Sequence, residues 1–521
     1  MANIGSYQRS ALTLTGKGLS FVKMASPRLN TSNLSANDEA LLRCKTALDH
    51  KDREDCAGAQ KTMRPYWVRI GEHPNTRGID PPAVAEVLLC VGILTSWIGS
   101  RSQVSEAQDI AKNLLTQSIN HFEEAKDVVK VAVAQSEIAY CYWREGAVNE
   151  ARSWLDEALK KLTFQGAARA RALLKLSTVQ WTSGRFRQAL EVLEQDEALF
   201  RKITNPTIKG GYHSELAIIH RNLATTENRR EYFQRAIKEY KLAEREFKLA
   251  HNPIYRADVI NNVGFLQFKL GCYKEAHKYL DEARRLTIRF KDKARTAQID
   301  ESRAHVLIAE GKLLEAERLV RRAVSVLRKS GRFCLVAEAL ITQGVALARL
   351  GRTDYARFTF QQAIQIAHQV NALNTAGLAA LTLLEEVQYL PPEMVQAAYR
   401  QAREWLASSQ SPDTKLRLAD VTDKVVATVQ SELSDDDATE ILLTEPGGLQ
   451  AQLDKYEGVI IKRALAQADG KVTVAASLLE LRYQSLAYKI EHQHPELLDY
   501  RTPVRRRPRR HRSKPTQRKS S

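Results

Sequence analysis

Between Lys471 and Ile490 stand side chains whose types and order suit hydrogen bonding to the edges of nucleobases. Arg482, Tyr483, Gln484 and Ser485 are consecutive, and Tyr488 and Lys489 follow about one helical turn later. An arginine fork matches the paired acceptors of guanine, and a glutamine amide matches the donor and acceptor of adenine. Arg482 and Gln484 are therefore the candidates for reading bases. Tyr483 and Ser485 can touch a base or a phosphate, with Tyr488 on the same outward face. Lys471, Thr473 and Lys489 suit phosphates, which set register rather than sequence.

Two short helices must position these groups. Thr473 is expected to cap the first. Ala475 and Ala476 are small where the second must cross. Leu478, Leu481, Leu486 and Ile490 are expected to form the small core, leaving Tyr483, Gln484, Ala487, Tyr488 and Lys489 outward. Upstream, Leu449, Leu453, Tyr456, Ile460, Ala464 and Leu465 recur at three- and four-residue steps and predict an amphipathic helix over Leu449–Ala468. Ala468–Asp469–Gly470 ends it.

The stretch from Leu449 to His492 resembles the Fis-type helix-turn-helix at the C-terminus of bacterial enhancer-binding regulators. The match rests on Gly470, Thr473, Ala475, Ala476, Leu479, Leu481, Ser485, Leu486, Lys489 and Ile490. It departs at Glu480, where the pattern has a turn glycine. It departs again at Arg482, where Ser or Asn usually caps the second helix, and at Tyr483, where Arg is frequent. The resemblance implies double-stranded DNA as partner, with the second helix entering the major groove. It also implies a homodimer through Leu449–Ala468.

Charge supports an anionic partner at this end. The chain of 521 residues has a formal net charge of +17. Residues 501–521 carry ten Lys or Arg and no acid, and residues 1–33 carry four and no acid, so the middle is nearly balanced. Arg505, Arg506, Arg507, Arg509 and Arg510, broken by Pro508, suit non-specific attraction to phosphates. Before the module, Ser431–Pro446 holds six acids and no base, and Pro446–Gly447–Gly448 breaks any helix.

The middle of the chain is repetitive. From turn positions Gly146, Gly184, Glu231, Gly271, Gly311 and Gly351, alanine stands five residues on in every case: Ala151, Ala189, Ala236, Ala276, Ala316 and Ala356. Twelve residues on stand Ala158, Ala243, Ala283, Ala323 and Ala363, with Asp196 the exception. Seven residues before each turn is a small residue, such as Gly264. Positions seven apart return to one helix face, where small residues let a partner helix approach. Glycine supplies the left-handed residue that ends the first helix. These spacings resemble the tetratricopeptide repeat, with longer units than usual. The whole chain thus resembles bacterial tetratricopeptide-repeat regulators with a C-terminal Fis-type domain.

The expected fold is all-α: an α-solenoid followed by a small helix-turn-helix domain. The expected divisions are a disordered segment 1–33, a helical hairpin 34–80, repeats 81–390, capping helices 391–430, an acidic linker 431–448, the helix-turn-helix domain 449–498 and a basic tail 499–521. Such an array binds a protein or peptide. Tyr140, Tyr142, Trp143 and Trp181 are candidate groove residues, although such aromatics more often form interhelical core.

Nothing points to catalysis. No phosphate loop, zinc-protease, nucleophile-elbow or kinase motif appears. Cys44, Cys56, Cys90, Cys141, Cys272 and Cys334 form no Cys-x-x-Cys pair, so buried free thiols and no metal or cofactor are expected. No continuous run of about 18 apolar residues suggests a membrane span, and Met1–Asn30 lacks a signal-peptide core. A cytoplasmic chain is expected. The two readings are a sequence-specific transcriptional regulator and an interaction scaffold whose basic tail binds acidic surfaces without reading bases.

Overall fold

The computed structural model describes residues 33–102, 104–163, 166–407, 409, 411–432 and 449–502. The chain divides into two compact units, Met1–Val425 and Val426–Ser521. No strand occurs among the described residues. Ser431 and Glu432 of the expected linker complete the helix Pro412–Glu432, since no helix breaker stands there. The remainder of that linker, the N-terminal segment 1–32 and the tail 503–521 lie outside the described residues.

The first unit is an α-solenoid of antiparallel hairpins. Val128–Glu145 pairs with Val148–Lys161, Pro253–Lys269 with Tyr273–Arg289, Lys293–Ala309 with Leu313–Lys329, and Phe333–Arg349 with Thr353–Gln369. The turn glycines Gly146, Gly184, Gly271, Gly311 and Gly351 take φ between 73° and 82°, the left-handed region that ends a helix. Ala151, Ala276, Ala316 and Ala356 are fully buried against the facing helix. At Gly264 the approach is close: a Cβ there would lie 2.7 Å from Cγ of Leu280.

The first helix of a hairpin often starts on a capping Asx side chain. Asp127, Asn205, Asn252 and Asp292 each accept a hydrogen bond from the backbone N–H three residues on. This satisfies one of the orphan donors of a helix start.

Two expectations change, on the third turn and on the cysteines, and the exception at Asp196 finds its cause. In the third of the six spaced units the left-handed residue is Asn228 at φ 50°, not Glu231, which lies in the first turn of Arg230–Leu249. The turn has moved by nearly one helical turn. The first helix ends early, the second starts early, and Ala236 and Ala243 still reach the same buried face. At Asp196, where the alanine spacing failed, the second helix breaks between Phe186–Gln195 and Glu197–Lys202. Its carboxylate is held by Arg169 at 3.0 Å. Of the cysteines, Cys44, Cys56, Cys90 and Cys141 are buried, Cys334 is half-buried in the first turn of Phe333–Arg349, and Cys272 is exposed because it precedes the helix Tyr273–Arg289.

The helix Pro81–Ser102 is long and apolar enough to cross a membrane by length and composition. It is buried without interruption from Val87 to Gly99 inside the first unit. Its apolarity is that of a helix packed on all sides.

The second unit is small. Leu449–Gln467 is followed by Val472–Leu478, Tyr483–Tyr488, a π-helical turn Lys489–Gln493 and a 3-10 segment Pro495–Tyr500. Its core is Ile461, Ala464, Leu465, Ala468, Ala475, Ala476, Leu486, Ile490 and Leu497.

Candidate functional site

In the second unit, two left-handed residues shape the approach to the first short helix: Asp469 at φ 49° and Gly470 at φ 74°. Their geometry starts the next helix at once, at Val472. Lys471 therefore takes the cap position, without a side-chain cap bond, and Thr473 is an exposed residue of the first turn rather than the cap. Thr502 closes the module by donating its N–H to the carbonyl of Gly470 at 2.8 Å and its hydroxyl to that of Asp469 at 2.9 Å. A Cβ on residue 470 would meet the Thr502 nitrogen at 2.8 Å, so glycine is required there twice over.

The core differs in register from the expected one. Ile461, not Ile460, faces inward, in step with Ala464, Leu465 and Ala468 at helical spacing. Leu478 is 52 % and Leu481 38 % exposed. Their places are taken by Leu479, which shares the face of Val472, Ala475 and Ala476. Leu486 and Ile490 are buried as expected.

Between the short helices, Glu480 takes φ 54°. The N–H of Leu481 reaches back to the carbonyl of Ala476 at 2.8 Å, a left-handed helix end built without glycine. A side chain in that region costs about 1 kcal/mol. Glu480→Gly is expected to raise the stability of the module by roughly that amount, offset in part by glycine's greater freedom when unfolded. Amide hydrogen exchange at Leu465 and Ile490 would measure it; a lowered protection would contradict the strain.

Arg482 caps the second helix with its backbone only. Arg482, Tyr483, Gln484 and Ser485 are all exposed in its first turn, with Tyr483 at 49 % and Tyr488 at 58 %. Tyr488 stacks on His492 at 4.4 Å between ring centroids. Gln484, Ser485, Tyr488, Lys489 and Gln493 line one shallow depression. Lys489 is ion-paired to Glu457 on the long helix, whose carboxyl is held below its usual range by that hydrogen bond. Arg501 is tied to Glu491 at 2.8 Å. Lys471 is exposed. The arginines from Arg505 to Arg510 lie outside the described residues; the chain enters them from Thr502, which is anchored beside Lys471.

Of the candidate groove aromatics in the first unit, Trp143 and Trp181 are buried, and Tyr140 and Tyr142 are half-buried. Tyr140 stacks on Trp143 at 4.7 Å, with Arg144 at 4.9 Å over its ring. Lys112 lies 4.6 Å from the centre of the Tyr142 ring. Each cation thus covers one face of its ring.

The indole N–H of Trp181 donates to Glu215 at 2.6 Å. Burial raises the Glu215 carboxyl to about 7, against the hydrogen bonds from Trp181 and Thr178. A raised carboxyl stabilises the fold fully below its unfolded value near 4.5. That contribution is lost as pH rises through about 7. Glu215→Gln keeps the indole bond and is expected to be more stable than wild type at pH 8 by roughly 1–2 kcal/mol, and equal near pH 5. Thermal melts at the two pH values test this; a pH-independent difference would count against it.

Sequence reasoning missed a third cluster. The segment Lys51–Asp55, the last residues of Ala36–Asp52 and the turn into Cys56–Met63, touches helices far along the chain. Glu54 bonds to Arg295 at 2.9 Å and to Arg101, and accepts from the Tyr255 hydroxyl at 3.3 Å. Arg171 pairs with Asp52 at 3.0 Å, and Asn252 donates to the Asp52 carbonyl at 2.7 Å. Burial alone would raise the Glu54 carboxyl, but the charges of Arg295 and Arg101 hold it at about 2. No local spacing announces contacts made across as many as 241 residues.

No family model matches the sequence, and no curated protein matches it. Solved structures of helical-repeat proteins are similar at a distance. The apo form of RapI is 14% identical, with 55% of this chain and 99% of that chain covered and a TM-score of 0.43. A Rap protein complexed with Competence and Sporulation Factor is 13% identical, with 75% and 99% covered and a TM-score of 0.46. The apo quorum sensor NprR from B. thuringiensis is 14% identical, with 63% and 87% covered and a TM-score of 0.44. At this distance the likenesses carry no argument about ligand or activity. The α-solenoid stands on the hairpins themselves.

Proposed function

We propose that the 449–502 module binds double-stranded DNA with a sequence preference and that the repeat array takes a protein or peptide partner, making the chain a transcriptional regulator rather than an enzyme. One observation carries the first half. Arg482 to Ser485 stand exposed at the start of a helix whose other face is buried at Leu486, and at Ile490 in the π-helical turn that continues it. A helix presented in this way fits the major groove, with its N-terminal residues against base edges.

Roles follow from surroundings. Arg482 and Gln484 are free of the core and suit guanine and adenine. Tyr483 and Ser485 flank them. Lys471 and Thr473, exposed at the start of the first helix, suit phosphates. Lys489 reaches a phosphate only by giving up Glu457, so its first role is to hold the long helix. The exposed Ile460 on Leu449–Gln467 suits a dimer contact, and a dimer reads two half-sites.

Full-length chain in a gel-shift titration at several salt concentrations tests this reading. A preferred duplex is expected to survive excess random competitor. Removal of residues 503–521 is expected to weaken every duplex alike and to flatten the salt dependence, the slope falling by roughly 0.9 for each phosphate that the tail neutralises. Binding without any preference would favour the scaffold reading instead.

A further inference from the structure

The Lys51–Asp55 turn is held as a peptide ligand is held. Asn252 uses one end of its amide to cap its own helix, at the N–H of Tyr255, and the other to grip the main-chain carbonyl of Asp52. That contact is blind to side-chain identity. Two carboxylates two residues apart, on Asp52 and Glu54, are then read by Arg171 on one side and by Arg101, Arg295 and the Tyr255 hydroxyl on the other. Arg171, Tyr255 and Arg295 come from the first helices of three different hairpins, Gly166–Thr182, Pro253–Lys269 and Lys293–Ala309. The array therefore curls so that these helices converge on one short segment. Neighbouring hairpins also stack through apolar clusters, in which these polar contacts take no part.

We propose that the Lys51–Asp55 turn is an internal ligand seated in the peptide-binding face of the repeat array, and that the partner of this face is a peptide with two carboxylates two residues apart, which displaces the turn. The inference rests on the reading that the array takes a peptide. Asp52 ends the helix Ala36–Asp52 and Glu54 takes φ 62°, so a peptide that replaces them presents both acids to Arg171 and Arg295 from a helix-ending turn. The fork geometry of arginine favours anionic oxygen pairs there, such as these carboxylates, over neutral acceptors. The closed turn lowers the apparent affinity for any partner by the fraction of time the face is open.

The probe is a labelled peptide of residues 49–55, Asp-His-Lys-Asp-Arg-Glu-Asp, titrated against the full-length chain by fluorescence anisotropy. D52A/E54A, which leaves the turn only its main-chain contact to Asn252 and so weakens its hold on the face, is expected to bind it at least tenfold more tightly than wild type. The same peptide with Asn and Gln in place of its acids is expected not to bind, and adding N252A to the open variant is expected to remove binding. Should D52A/E54A not fold, excess peptide on wild type is expected to speed amide exchange at Glu54 and Asp55. No binding by the folded open variant, or unchanged exchange, overturns the inference. A peptide-display library screened on both chains separates the two levels. Binders without paired acids that hold both chains equally leave a peptide-binding face and overturn the internal-ligand inference. No binder on either chain overturns both.

Discussion

Changing Arg482, Tyr483 and Gln484 together to alanine is expected to reduce the preference for the selected duplex over random DNA by tenfold or more, while binding to random DNA stays within about twofold. Each good base contact discriminates by roughly 1–3 kcal/mol, and the proposed docking gives one each to Arg482 and Gln484. All three are exposed, so the core of Ile461, Leu465, Leu486 and Ile490 is untouched and the fold is retained. Competition gel shifts, with circular dichroism to confirm helicity, measure it. A triple variant that keeps its preference would place the readout elsewhere.

The second large effect lies in the array. Arg295 is ringed by Glu54, Asp258 and Asp292 at 2.9–3.0 Å and is buried. Burial opposes its charge, but those acids hold its guanidinium well above its usual range. Removing one partner from a buried ion cluster leaves uncompensated charge, at a cost of roughly 3–5 kcal/mol. Arg295→Ala is therefore expected to lower the urea midpoint of the repeat unit markedly. Arg295→Met is expected to do nearly the same, since three acids remain beside an apolar side chain. A loss below about 1 kcal/mol would show that the acids are solvated.

The same cluster sets an acid response. The Glu54 carboxyl is depressed from 4.5 to about 2. Its contribution is thus complete above pH 4.5 and lost as pH falls towards 2. The turn that bridges the array is expected to release in acid before the hairpins melt.

The hairpins were legible because their signal is local. A small residue every seven positions and a left-handed glycine between helices are constraints that a short window contains. Asn228 escaped because asparagine also tolerates the left-handed region, so alanine spacing pointed to Glu231 instead. In the second unit the turn at Glu480 was legible as a departure, and the structure keeps the left-handed backbone despite it. Leu478 and Leu481 were misassigned because leucines occupy 478, 479 and 481, and hydrophobicity alone cannot choose among neighbours 100° apart on a helix. The start of the helix at Val472 makes the choice, and that start depends on Asp469 and Gly470. The Lys51–Asp55 turn was beyond sequence reasoning for a different reason. Its partners are ordinary charged residues, and only the curl of the array brings them together.

Selection of full-length chain on a pool of random duplexes, followed by sequencing of the bound fraction, tests the central claim most directly. The account predicts enrichment of a short motif containing guanine and adenine, repeated about one helical turn apart if the long helix forms a dimer. A bound pool with the base composition of the input, at every salt concentration that still allows binding, would contradict it.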